Sequence, residues 1–146
     1  IAMSLGGYAA EELVFGDVTT GPSNDLQVAT NLARAMVTRW GMSDAIGAMA
    51  LEGDGGRAMF GTGIEDDELS KGASAKIGSE VKKIMDEARA RAIEVLTTHR
   101  KTLDAIADKL IEVETLEQPE YEEILKAHGI ALKKLEEGEK PVDIAG

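Results

Sequence analysis

The chain contains no cysteine. That excludes disulfides, thiolate metal sites and a cysteine nucleophile, and it fits a reducing compartment. Histidine is nearly as scarce: only His99 and His128 are present. Aromatics make up 3% of the 146 residues although hydrophobic residues make up 43%. The core must therefore be built from Ala, Leu, Ile, Val and Met, side chains that suit helix packing. Positive charge is in the minority, with 16 Lys and Arg against 27 Asp and Glu and a net charge of -11. Such a surface repels phosphate backbones and anionic headgroups, which argues against a nucleic-acid partner. Long apolar runs are missing too. The longest uncharged stretch, Ile1 to Ala10, is too short to span a bilayer and lacks the basic flank of a signal peptide. The expectation is a soluble, mainly α chain, long enough to bury roughly two thirds of its unfolded surface. Ile1 falls inside an apolar periodic run, with no initiator Met and no polar lead-in, so the chain reads as cut from something longer.

The periodicity of the apolar residues places the elements. Ile1, Leu5, Tyr8, Ala9 and Leu13 fall at helical spacing over 1–15, although Gly6 and Gly7 each cost about 1 kcal/mol relative to Ala. Tight packing against another backbone would account for them. After a turn-rich stretch with Gly21 and Pro22, a second helix carries Leu26, Ala29, Leu32, Ala33, Met36, Val37 and Trp40 as one stripe, with Ser23 and Asn24 as candidate N-caps and Gly41 as its stop. A short β-hairpin is expected near 48–61, around the turn Gly53-Asp54-Gly55-Gly56, and an exposed, mobile acidic stretch over 63–68. A long helix follows from about Ser70 to Thr98, with Ile77, Val81, Ile84, Ala88, Ala92 and Val95 on one face. The next runs from Arg100 to Val113 on Leu103, Ile106, Ala107, Leu110 and Ile111. A last short helix starts at Pro119, turns Tyr121, Ile124 and Leu125 inward and ends at Gly129. Residues 136–146 form a polar tail expected to fray. The fold class is thus a helical bundle with at most one short hairpin, organised as one domain over 1–135 plus the tail 136–146.

Ordered blocks of sequence carry a resemblance. Leu5-Gly6-Gly7-Tyr8-Ala9-Ala10-Glu11-Glu12-Leu13-Val14-Phe15-Gly16 is similar to the glycine-containing helix of the peptidase domain of FtsH-type ATP-dependent zinc metalloproteases. Thr20-Gly21-Pro22-Ser23-Asn24-Asp25-Leu26, then Ala29-Thr30, Ala33-Arg34, Met36-Val37 and Gly41-Met42-Ser43, resembles that family's next conserved block. His99-Arg100 and the run Leu110 to Leu116 resemble its last two helices. Tyr8 departs from the family pattern, where a basic residue is expected, and Pro22 stands where a small residue is usual; neither position is catalytic. The resemblance implies a parent protein that is a zinc- and ATP-dependent endopeptidase. Such a parent is membrane-anchored and homo-hexameric, with its peptidase domain in a reducing compartment, and acts on unfolded or membrane proteins. The zinc-binding helix with His-Glu-x-x-His, the ATPase module and the anchor are expected upstream of Ile1.

A hydrolytic zinc site takes three protein ligands and keeps a fourth position for water. Two histidines one helical turn apart normally supply two of them, with a glutamate between as general base. His99 and His128 are 29 positions apart, on different predicted helices, and cannot form that motif. No catalytic residue is assigned within the chain. The family's third ligand is the aspartate of the Asn-Asp pair, and the resemblance carries it onto Asp25; read by itself, an acid in the first turn of a helix is accounted for by the helix dipole. Asn24 fits a cap better than a ligand. Glu11 and Glu12 invite a role beside the metal, but neighbours on a helix point about 100° apart, so at most one of them faces a site. His99 and His128 fit C-terminal capping. Met36, Met42, Met49, Met59 and Met85 read mostly as packing, the acids from Glu112 to Glu123 as a solvated face. The glycines at 53, 55 and 56 lack the Lys-Ser/Thr ending of a phosphate loop, so ATP is not expected to bind this chain. By itself the chain is expected to be inactive, since one carboxylate offers zinc no chelate. The rival reading is a helical assembly module for ring formation, in which Asp25 is only a helix-start charge.

Overall fold

The computed structural model describes residues 1–51 and 67–131, with side chains from 72 onward in the second stretch. Five helices occupy them: α1 (Gly6–Phe15), α2 (Ser23–Thr38), α3 (Asp67–Thr98), α4 (Arg100–Val113) and α5 (Gln118–Ala127). There is no strand among the described residues, so the mainly α reading holds. The hairpin near 48–61 falls mostly outside the described residues, and 48–51 are irregular. Of the acidic stretch 63–68, residues 63–66 lie outside them and the last two open α3 instead of staying irregular; the tail 136–146 lies outside as well. The chain forms two compact units, Ile1–Thr98 and the part from His99 onward.

In the first unit α3 is the spine, and both α1 and α2 pack on it. Leu5 and Ala9 are buried on the α1 side, Ala29, Ala33 and Val37 on α2, and Ala92 on α3. The α2 line is spaced four by four, one ridge of the kind by which helices pack on each other. This corrects the wider stripe read from the sequence. Leu26, Leu32 and Trp40 are 40%, 37% and 53% exposed, because the packed ridge runs through Ala29, Ala33 and Val37 and not through these larger residues. Gly6 and Gly7 also depart from expectation: a Cβ at either would meet nothing within 4 Å, so no close backbone among the described residues requires them. Gly41 is different. Its φ is +61°, and an added Cβ would come within 3.1 Å of the Ala48 Cα, so the stop after α2 needs glycine on both counts. With that turn made, the Met42 N–H reaches back to the Met36 carbonyl at 2.9 Å.

Two long-range side-chain ties join α3 to the rest of this unit among the described residues. Arg89 of α3 donates to both oxygens of Glu12 on α1, Nε to Oε2 at 2.9 Å and Nη2 to Oε1, and this hydrogen-bonded carboxylate raises the arginine above its ordinary pKa. Buried Ser43 donates its hydroxyl to Glu80 of α3 at 2.7 Å and accepts the Ile46 N–H at 3.3 Å.

In the second unit α4 packs with α5. Thr102 is buried and Leu103 and Ile106 are half-buried, whereas Ala107, Leu110 and Ile111 are exposed; the inner face is rotated from the one the apolar pattern suggested. On α5 Leu125 is buried but Tyr121 is 42% exposed. Pro119 occupies the second helical position, after Gln118, and the Glu117 N–H is taken by the Glu120 carboxylate at 3.2 Å. His128 caps the end of α5 as expected, its Nδ1 2.8 Å from the Ile124 carbonyl, and Gly129 follows at φ +73°. His99 instead precedes α4 and contributes its carbonyl to the Thr102 and Leu103 N–H groups.

Candidate functional site

The candidate ligand Asp25 stands in the first turn of α2, as its third residue, with an exposed side chain. The helix starts there for reasons that lie outside it. Pro22 occupies the N-cap and is buried, and no side chain caps the free N–H groups. Ser23 and Asn24, the expected caps, are the first two helical residues instead. What fixes the approach is a turn held from α1. Glu11 accepts the Thr19 N–H at 2.7 Å on Oε2 and the Thr19 hydroxyl at 3.1 Å on Oε1, and the same hydroxyl accepts the Gly21 N–H at 3.1 Å. The Ser23 N–H then closes on the Thr20 carbonyl at 3.2 Å and the Leu26 N–H on Pro22 at 2.9 Å.

An open cleft of about 610 Å³ lies along α2, lined by Ser23, Asn24, Leu26, Gln27, Thr30 and Asn31. Asp25 is not among its lining residues. At about 100° per residue, Asp25 is turned between about 100° and 160° from them and lies on the side of Leu32, Met36 and the buried Ala29, one turn further on. The cleft is therefore not the surroundings of this carboxylate, and nothing is assigned to it. Asp25 is exposed at the N-terminal end of the line that continues as Ala29, Ala33 and Val37.

Among the described residues no three His, Cys, Asp or Glu side chains come together to hold a metal ion. Asp25 has a hard oxygen donor suited to zinc, exposed and free to accept a ligand bond, but it is one donor where a site needs three. It fits as a contributor to a zinc site and does not make one. His99 and His128 both belong to the second unit, which leaves the first unit without an imidazole. Glu11 and Glu12 do not form a carboxylate pair: Glu11 holds the turn before α2, and Glu12 holds α1 to α3. Sequence reasoning missed Thr19, Arg89, Ser43 and Glu80. Of these only Ser43 carried a signal, as the last residue of the Gly-Met-Ser block. No helix among the described residues is long and apolar enough to cross a membrane.

Comparison with known proteins bears on what this arrangement serves. Residues 1–124 match the model of peptidase family M41. The chain is 43% identical over 138 residues to the ATP-dependent zinc metalloprotease FtsH 3 of Synechocystis, covering 92% of this chain and 22% of that protein. It is 44% identical over 126 residues to the ATP-dependent zinc metalloprotease FtsH of Thermobaculum terrenum, covering 86% and 20%. Against the ATP-dependent zinc metalloprotease FtsH of Rhodococcus erythropolis it is 42% identical over 127 residues, covering 86% and 15%. The chain thus spans about a fifth of the length of the first two of these relatives.

Proposed function

Because this chain belongs to peptidase family M41, we propose that it is one part of an ATP-dependent zinc metalloendopeptidase that degrades unfolded or membrane proteins, and that within it Asp25 supplies one of three zinc ligands. The other two are the histidines of a His-Glu-x-x-His helix contributed by another segment of the parent protein. When bound, zinc lowers the pKa of its water to about 7 and so makes hydroxide available to attack a peptide carbonyl. The work of this chain is to hold a carboxylate in place and to give the zinc-binding helix a rigid body to pack against. The observation that carries the reading is the position of Asp25. It is an exposed carboxylate in the first turn of a helix whose buried side is anchored on α3, within the block Thr20 to Leu26 of a chain matched to the family through residue 124. On the same footing, the parent is a membrane-anchored homo-hexamer with an ATPase module, and its peptidase part lies in a reducing compartment.

The test is Asp25→Ala in the full-length protein. Zinc content should fall well below one per chain and casein cleavage by 100-fold or more. With zinc removed from both proteins, the melting temperature of the peptidase part should be nearly the same, since an exposed side chain away from the core changes stability by no more than about 0.5 kcal/mol. Retained zinc and retained cleavage would instead support a helical assembly module whose Asp25 is only a helix-start charge.

A further inference from the structure

Glu11 lies fourteen positions before Asp25 and on another helix, yet the path between them is short in hydrogen bonds. We propose that Glu11 is a positioning residue for Asp25: through Thr19 it fixes the turn from which α2 starts, and with it the direction in which the Asp25 carboxylate points. The inference rests on the ligand reading above.

Three observations support it. First, α2 has no side-chain cap of its own, so its starting geometry is left to the segment that leads into it. Second, that segment is held by both oxygens of one carboxylate. Oε2 takes the Thr19 N–H at 2.7 Å and Oε1 the Thr19 hydroxyl at 3.1 Å. Bonds to an ionised acceptor are stronger than neutral ones, and a two-point contact fixes orientation as well as distance. Third, the hold passes on toward the helix. The Thr19 hydroxyl accepts the Gly21 N–H at 3.1 Å, and a Cβ at Gly21 would meet Thr19 Oγ1 at 3.3 Å and Glu11 Oε1 at 3.4 Å. The backbone one residue before the N-cap Pro22 therefore lies directly against the pair. Asp25 follows three residues after Pro22, whose fixed φ leaves little freedom between. The neighbouring Glu12 provides an internal control. It is equally acidic and on the same helix, but its carboxylate binds Arg89 of α3 and not the Thr19 turn.

The experiment compares Glu11→Gln, Thr19→Val, Thr19→Ser and Glu12→Gln. In the 146-residue chain, amide hydrogen exchange at Thr19, Gly21 and Leu26 is followed by NMR. Glu11→Gln removes the charge and turns one of the two acceptor oxygens into an amide donor, and Thr19→Val removes the hydroxyl; each should accelerate exchange at these amides by tenfold or more. Thr19→Ser should restore the wild-type rates, and Glu12→Gln should leave them unchanged. In the full-length protein the zinc dissociation constant is then measured by competition with a chelator. Glu11→Gln and Thr19→Val should weaken zinc about tenfold, the lower end of what is lost when a group orienting a metal ligand is removed. Thr19→Ser should rescue zinc affinity, and Glu12→Gln should lower the melting temperature without changing it. Faster exchange with unchanged zinc affinity would make Glu11 a merely structural brace and overturn the inference, while Asp25→Ala still lost zinc and left the ligand reading standing. Unchanged exchange in both Glu11→Gln and Thr19→Val would overturn it outright. If Asp25→Ala kept its zinc, the ligand reading and this inference would fall together.

Discussion

The two ends of α2 are built in opposite ways. At its C-terminal end Val37 and Thr38 are completely buried, Thr38 accepts the Leu51 N–H at 2.7 Å on its carbonyl, and the loop beyond is fastened to α3 by Ser43 and Glu80. At its N-terminal end Ser23, Asn24, Asp25, Leu26 and Gln27 are all exposed, no side chain caps the helix, and the approach is held by the Glu11–Thr19 turn and the buried Pro22. One helix thus has an end packed into the unit and an end whose side chains are exposed. A ligand carried on a rigid helix is held more accurately than one on a loop. The anchored end supplies the rigidity, and the free end keeps a carboxylate unpaired.

The largest effect on stability should come from the anchored end. Val37→Ala removes a fully buried side chain from the α2 ridge. The lost transfer energy plus the cavity left against α3 should destabilise the chain by about 2 kcal/mol, read by urea or thermal unfolding. A change under about 0.5 kcal/mol would mean that the ridge is not the packed side of α2. Next comes the loop. Ser43→Ala leaves the Glu80 carboxylate without its donor and the Ile46 N–H without its acceptor, which should cost about 1–2 kcal/mol. Glu80→Ala should cost a similar amount. The double variant should cost clearly less than the two losses summed, because both remove the same bond; full additivity would show that Ser43 and Glu80 act independently.

Much of this helix was legible in sequence, for identifiable reasons. Gly41 announced the end of α2 because a left-handed stop beside Ala48 admits no other residue without strain, and glycine is a strong local signal. The bounds of α4 and the His128–Gly129 end of α5 were legible in the same way. The packed face was harder to see. The apolar pattern counts Leu32 and Trp40 together with Ala29 and Ala33, yet the alanines are buried and the larger residues are left outside. The position of Asp25 in the first turn was readable, but its isolation was not. Whether a carboxylate has partners depends on Glu11, Glu12, Thr19 and Arg89, which meet only once the helices are assembled; Glu12 and Arg89 are separated by most of the first unit. No local pattern records a contact of that range.

The smallest effect, and a direct check on the free end, concerns Asn24. A residue of this type just before a helix normally caps it, and replacing such a cap by Ala costs about 1 kcal/mol. Here Asn24 is already the second helical residue and makes no cap bond, and Ala is the better helix former in that position by a few tenths of a kcal/mol. Asn24→Ala should therefore be neutral or slightly stabilising, by no more than about 0.5 kcal/mol, in the same unfolding measurement used for Val37→Ala. A loss of 1 kcal/mol or more would show that Asn24 does hold the first turn. The N-terminal end of α2 would then be anchored from within like the other, and the Glu11–Thr19 turn would no longer be what sets the direction of Asp25.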